Sequence, residues 1–204
     1  MPLHLHLCDR NTPLRDAWEA MFADQPLVTV HLDDFFAVEA DIMVAGGDSL
    51  GLMDSGLELA IALKLGPFIR ERIQEALRRD HDGMLPVGQA LVVPTEDRRW
   101  PLLVLAPTMY LPMDVSQTIH PYLAARAALR CWRSLAQSQG NRVWHMLMPG
   151  LGTGPGRVQP ATCARQMRRA YDEVVLGHRK VYASLDEAMA DYRYLVEGSE
   201  RRSI

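Results

Sequence analysis

The sequence has few cysteines: Cys8, Cys131 and Cys163 are odd in number, far apart, and never in a Cys-x-x-Cys or Cys/His pair with metal-ligand spacing. A disulfide framework and a zinc ribbon are thereby excluded, and reduced core thiols are expected. No uncharged apolar run approaches the roughly 18 residues of a membrane span. The N-terminus, Met1-Pro2-Leu3-His4-Leu5-His6-Leu7, lacks the basic head and long apolar core of a signal peptide, so a cytoplasmic protein is expected. Neither charge sign is in large excess, 25 acidic against 22 basic residues that are well mixed. Without a strong field, neither nucleic acid nor a membrane surface is favoured as a partner. Low-complexity tracts, internal repeats and linkers are also missing from the 204 residues, which suits one domain over 1–197 followed by a frayed tail at 198–204.

What is present is an alternation of strand and helix patterns. Leu3, Leu5 and Leu7 alternate with His4 and His6 at the two-residue period of a strand with one face on a core. Thr12 is then expected to cap, and Pro13 to open, a helix with an apolar stripe of Leu14, Ala17, Trp18, Met21 and Phe22. Strand-like segments follow at 27–32 and 41–45. The stripes Leu57, Ala60, Ile61, Leu65 and Ile69, Ile73, Ala76, Leu77 predict two helices. The apolar runs 89–93 and 102–106 read as interior strands at the centre of a sheet. A long helix capped by Thr118 and stopped by Gly140 precedes a strand over 143–148. Two last helices carry Cys163, Met167, Ala170, Tyr171, Val174 and, after the capping box of Ser184 and Glu187, Leu185, Ala188, Tyr192, Leu195. The alternation predicts an α/β fold, a three-layer α/β/α sandwich on a sheet of about six strands. Ligands of such folds sit past the carboxyl ends of the central strands.

Two Gly-rich loops fall there. The first runs from Val44 through Gly46, Gly47, Asp48, Ser49 and Gly51 to Ser55, Gly56 and Leu57, between a strand and a helix. Its glycines allow close backbone approach, and the helix opening at Gly56 offers unpaired N–H donors to an anion. The second, Pro149-Gly150-Leu151-Gly152-Thr153-Gly154-Pro155-Gly156, can form an anion-binding nest with the Thr153 hydroxyl as a further donor. It lacks the Gly-Lys-Ser/Thr ending of a P-loop and the Gly-x-Gly-x-x-Gly spacing of a dinucleotide fingerprint, which disfavours both nucleotide folds.

Together the loops resemble those of the macro domain family over roughly residues 27–176. That family has an Asp, then Asn-Ala-Ala-Asn, a Gly-rich stretch and an Ala-Ile pair. This chain has Asp34, Ala45-Gly46-Gly47-Asp48, Ser49 to Gly56, and Ala60-Ile61, followed far downstream by Pro149-Gly150-Leu151-Gly152-Thr153-Gly154. The segment Met53-Asp54-Ser55-Gly56 is similar to a phage and bacterial branch with Met-Asp-Gly-Gly. The resemblance implies a mixed central sheet and a site for ADP-ribose or an ADP-ribosylated protein, with no cofactor. Asp34 matches the carboxylate that accepts from the adenine amino group, with Phe35 beside the base. Backbone groups of Ser55, Gly56 and Leu57 would meet one phosphate and the distal ribose, while Gly152, Thr153 and Gly154 would enclose the diphosphate. Gly46, Gly47, Ser49, Gly150 and Leu151 complete the binding candidates. Asp48 stands where family members that remove ADP-ribose have an Asn, Ala45 where they have the other Asn, and Ser55 where they have Gly. Asp48 is a candidate general base for ADP-ribosyl hydrolase or ADP-ribose phosphatase-type activity, but the change at both Asn positions ranks recognition without turnover ahead of cleavage. Binding without turnover and a macro-like scaffold acting through protein contacts both stay open.

His4 and His6 alternate on a strand and face either solvent or a core partner, while His31, His81, His120, His145 and His178 have no partner at ligand spacing, so no metal is expected. Trp18 and Trp132 belong to helix stripes and are assigned to the core. Arg165, Arg168 and Arg169 read as a solvated face rather than an anion site. Thr108 to Met113 follows a central strand and is either a pocket wall or an ordinary loop.

Overall fold

The computed structural model describes residues 2–138 and 142–198. The expected stop at Gly140 and the tail beyond Gly198 lie outside these residues. Six strands, β1 (Leu3–Asp9), β2 (Val28–Leu32), β3 (Ile42–Ala45), β4 (Leu91–Pro94), β5 (Leu102–Leu105) and β6 (Trp144–Met148), form one mixed sheet in the order β2-β1-β6-β3-β5-β4. All neighbours pair in parallel except β4 with β5. Six helices cover it: α1 (Thr12–Met21), α2 (Gly56–Leu65), α3 (Phe68–Asp80), α4 (His120–Ser138), α5 (Pro160–Val174) and α6 (Leu185–Glu197).

Strand alternation divides the core. Leu3, Leu5 and Leu7 of β1 and Trp144, Met146 and Met148 of β6 enter one apolar cluster with the stripes of α1, α4 and α5. Met43, Ala45, Leu103, Leu105 and Leu147 enter the other with Ile61, Ile69, Ile73 and Leu77 of α2 and α3. Trp18 and Trp132 are core residues, as their stripes predict, and all three cysteines are free. Burial raises the thiols, Cys8 to about 11 and Cys163 to about 12, so both stay protonated.

Three expectations need correction. The strand expected over 89–93 is not central: β4 is an antiparallel edge strand. It looked central because Leu91 and Val93 pack under one helix layer while Val92 packs against the other. Burial of both faces says nothing about how many neighbours a strand has. Pro94, which has no N–H for a second ladder, fits the edge. The cap of α1 is Asn11, whose side chain accepts from Leu14 N at 3.1 Å, with Thr12 already helical. Helix α6 buries Asp191, Leu195 and Val196, whereas Leu185 is 75% exposed and Tyr192 also faces out. Only its C-terminal half reaches α5, where Asp191 takes Arg169, Lys180 and Tyr182 as partners.

Candidate functional site

Because β1, β6, β3 and β5 are parallel, their carboxyl ends share one edge, and the segments after Asp9, Met148, Ala45 and Leu105 all leave there. Each is pinned by backbone bonds. Thr108 N donates to Gly47 O and Ser49 N to Met109 O, both at 2.9 Å, which ties the first loop to the segment after β5. In the second, Val158 N donates to Gly152 O and Arg157 N to Gly154 O, both at 3.0 Å, and Thr153 Oγ1 donates to Gly150 O at 3.2 Å. The loops touch: a Cβ on Gly46 would stand 2.5 Å from a methyl carbon of Leu151.

Between them lies a cavity of about 350 Å³, lined from the first loop by Gly46, Gly47, Asp48, Ser55, Gly56 and Leu57 and from the second by Gly150, Gly152, Thr153 and Gly154. Thr108, Met109 and Pro112 wall it, so the segment after β5 is part of the site. Among the described residues, the amides of Gly152, Thr153 and Gly154 and those opening α2 at Gly56 and Leu57 meet no acceptor. Converging free N–H groups at a helix start and a glycine turn make an anion cradle. Gly152, with φ at +70°, holds its turn in the left-handed region that favours glycine.

A second cavity, about 250 Å³, shares Asp9, Leu57 and Pro149 with the first and is lined further by Arg10, Asp33, Asp34, Phe35 and Phe36. Asp34 caps the turn Phe35–Ala37 by accepting from Phe36 N at 2.8 Å and also pairs with Arg10. Ser49 and Leu151 do not line either cavity. The Ser49 hydroxyl donates to Met109 O at 3.2 Å, and Leu151 is buried in the core.

Three polar residues that the sequence did not single out face the main cavity: Asp9, Asn11 and Glu58. Glu58 stands in the first turn of α2, off its apolar stripe, and its carboxyl group presses on Gly47, where a Cβ would fall 1.6 Å from Oε1. Burial, reinforced by the neighbouring carboxylates of Asp48 and Asp54, raises its pKa from 4.5 to about 8. Oε1 is buried without a partner. Asp48 is only 4% exposed, and its Oδ1 accepts from Leu50 N at 2.8 Å. The cavity lining includes no Lys or Arg, so an anion there would be held by amides. The available signal for Glu58 was its place in the first turn after the loop; for Asp9 and Asn11, it was the end of a strand that proves parallel to β6.

A roomier cleft of about 770 Å³ lies by α5 and α6, where Arg165, Arg168, Arg169 and Lys180 gather. Four of the five cations that line it, all but Arg193, are already engaged. Arg168 pairs with Asp24 and Asp172, Arg169 and Lys180 with Asp191, and Arg165 donates to the carbonyls of Leu195 and Val196. The three arginines are thus neither a solvated face nor a free anion site.

No family model matches the chain. It is 30% identical over 158 residues, 76% of its length, to an uncharacterized protein of Aquifex aeolicus, and covers 87% of that protein. The macrodomain of Mycobacterium tuberculosis DarG superimposes with a TM-score of 0.56 at 18% identity, over 69% of this chain and 87% of the other. Thermosipho africanus DarTG in complex with ADP-ribose superimposes with a TM-score of 0.50 at 18% identity, over 69% of this chain but 37% of that longer one. The chain belongs to the family of the Aquifex protein and has the macrodomain fold. In this fold the two glycine loops and Glu58 sit at the carboxyl edge of the sheet, and no described helix is long and apolar enough to cross a membrane.

Proposed function

We propose that the chain binds ADP-ribose or a close relative across the two adjoining cavities. The observation that carries this reading is that loops about a hundred residues apart in sequence line one cavity with unpaired amides. The diphosphate rests on Gly152, Thr153, Gly154 and the start of α2. The adenine lies toward Asp34 and Phe35, and the distal ribose toward Asp48 and Glu58. The ADP-ribose complex of Thermosipho africanus DarTG, a protein of like fold, supports this choice of ligand. Met53-Asp54-Ser55-Gly56 further supports a place near the phage and bacterial branch. Calorimetry with ADP-ribose tests the proposal. Micromolar or tighter binding is expected, abolished by Gly152→Glu, which sets bulk and charge in the nest; no heat at millimolar ligand defeats it and leaves a scaffold acting through protein contacts.

Glu58 and Asp48 favour a second step, cleavage of an ADP-ribosylated protein. A carboxyl group protonated near neutral pH can give a proton to the leaving group while a neighbouring carboxylate takes one from the attacking water. ADP-ribose release should then fall as pH rises through about 8, where Glu58 ionises. Both Glu58→Gln and Asp48→Ala should lower the rate by at least about 100-fold. An unchanged rate in Asp48→Ala removes that carboxylate as the base.

A further inference from the structure

The apolar layer under α2 and α3 stops at Cys8 and Leu147. Beyond it, the alternation that sends Leu3, Leu5 and Trp144 into one core sends His4, His6 and His145 to the opposite face, joined by Thr29 and His31 of β2. All five are half-buried. A parallel sheet ordinarily carries apolar residues on both faces; this part of the face carries four imidazoles. Parallel register sets His4 beside His145 and His6 beside Thr29. The rings of His4 and His6 stack at 4.5 Å. His6 Nε2 lies 3.0 Å from His145 Nδ1, and His6 Nδ1 lies 3.0 Å from His31 Nε2. Ring nitrogens from His4, His6 and His145 all fall within 4.8 Å of one another.

We propose that His4, His6 and His145 bind one transition-metal ion of the zinc, nickel or copper class. The sequence spacing offered His145 no partner, so the expectation of no metal site is revised by the pairing of β1 with β6. With its proton on Nδ1, His6 donates to His31 Nε2 and turns a lone pair at Nε2 toward the facing Nδ1 of His145. In that tautomer the Nδ1–H of His145 donates to His6 Nε2 at 3.0 Å; an ion entering between them moves this proton to His145 Nε2 and takes both lone pairs. A ring nitrogen held to an outer partner is the usual way a ligating imidazole is oriented, and here His31 plays that part. Zinc–nitrogen bonds of about 2.0–2.1 Å require nitrogens roughly 3.3 Å apart. His6 and His145 stand slightly inside that separation, at 3.0 Å, and His4, whose Nε2 bonds Thr29 Oγ1 at 2.8 Å, would have to move its ring closer to the pair. An all-imidazole set selects against calcium and magnesium, which take oxygen ligands. Three protein ligands leave a position for water. The ion would tie β1 to β6, the strands that end at Asp9 and at the second glycine loop.

The test uses the full, untagged chain stripped of metal and titrated with Zn²⁺, with Co²⁺ as a spectroscopic probe. We expect one equivalent bound at micromolar concentration or tighter, a visible Co²⁺ band, and a higher melting temperature. His6→Ala and His145→Ala should each weaken binding by at least about 100-fold and His31→Ala by about 10-fold, while His178→Ala, exposed elsewhere, changes nothing. Less than a fifth of an equivalent bound, at about the concentrations a structural or catalytic zinc site needs, overturns the proposal. Unchanged binding in a His4/His6/His145 triple alanine variant also overturns it. Should that variant not fold, His145→Gln, checked as folded by circular dichroism, must lose the Co²⁺ band, and retention of the band is decisive against the site. None of these readouts depends on ADP-ribose.

Discussion

Glu58 concentrates the energetic tension of the site in one side chain. Its pKa rises from 4.5 to about 8 because the cavity buries it beside Asp48 and Asp54. For an acid shifted upward, the fold favours the protonated form. The stability it contributes is fully present below about pH 4.5 and is lost progressively as pH climbs to about 8. Glu58→Gln should therefore be more stable than the natural chain at pH 8.5, by about 1–3 kcal/mol, with the difference shrinking toward pH 5. Urea unfolding at the two pH values measures it, and equal gains at both would mean that ionisation is not the cause. The same charge governs the ligand. Affinity for ADP-ribose should weaken as pH rises through about 8, because the ionised carboxylate repels a diphosphate, and Glu58→Gln should flatten that profile in calorimetry. Gly47 matters for the same reason: any Cβ there meets Glu58 Oε1. Gly47→Ala should expel the carboxyl from its place, visible as a lower melting temperature and a shifted alkaline limb.

Among the elements, strands β3 and β6 at the centre of the sheet carry the two loops, and α6 hangs at the periphery. α6 is held through Asp191, a buried carboxylate that accepts from Arg169, Lys180 and Tyr182, as well as through buried Leu195 and Val196. Removing one partner of a buried ionic network leaves the others uncompensated. Asp191→Ala should cost about 3 kcal/mol and speed amide exchange across 185–196, while ADP-ribose affinity stays as it was. A parallel loss of affinity would tie α6 to the site. Helix patterns were legible where one stripe meets one core: Ile69, Ile73, Ala76 and Leu77 of α3 are all buried, as their spacing predicts. They misled in α6, where Leu185, Ala188, Tyr192 and Leu195 form a stripe of which only Leu195 is fully buried. An apolar stripe records what a helix can bury; whether a partner runs its whole length depends on the rest of the fold.

At the scale of the whole molecule, the parallel sheet brings every relevant segment to one edge. A ligand that binds there joins the loops after β3 and β6, so it should stabilise the folded chain by mass action, about 2.7 kcal/mol at a hundredfold excess over Kd. Thermal unfolding with ADP-ribose checks this, and Gly152→Glu should show no shift. The sequence by itself determined the elements, the α/β class and the two glycine loops, because periodicity and glycine chemistry act within a few residues of the chain. Only the tertiary structure decided that β4 lies at an edge, that Ser49 and Leu151 turn into the core, that Asp9, Asn11 and Glu58 face the cavity, and that four histidines from three strands meet. Those outcomes depend on which strands become neighbours. Strand neighbours are set by long-range hydrogen bonding and packing, and no local spacing encodes them.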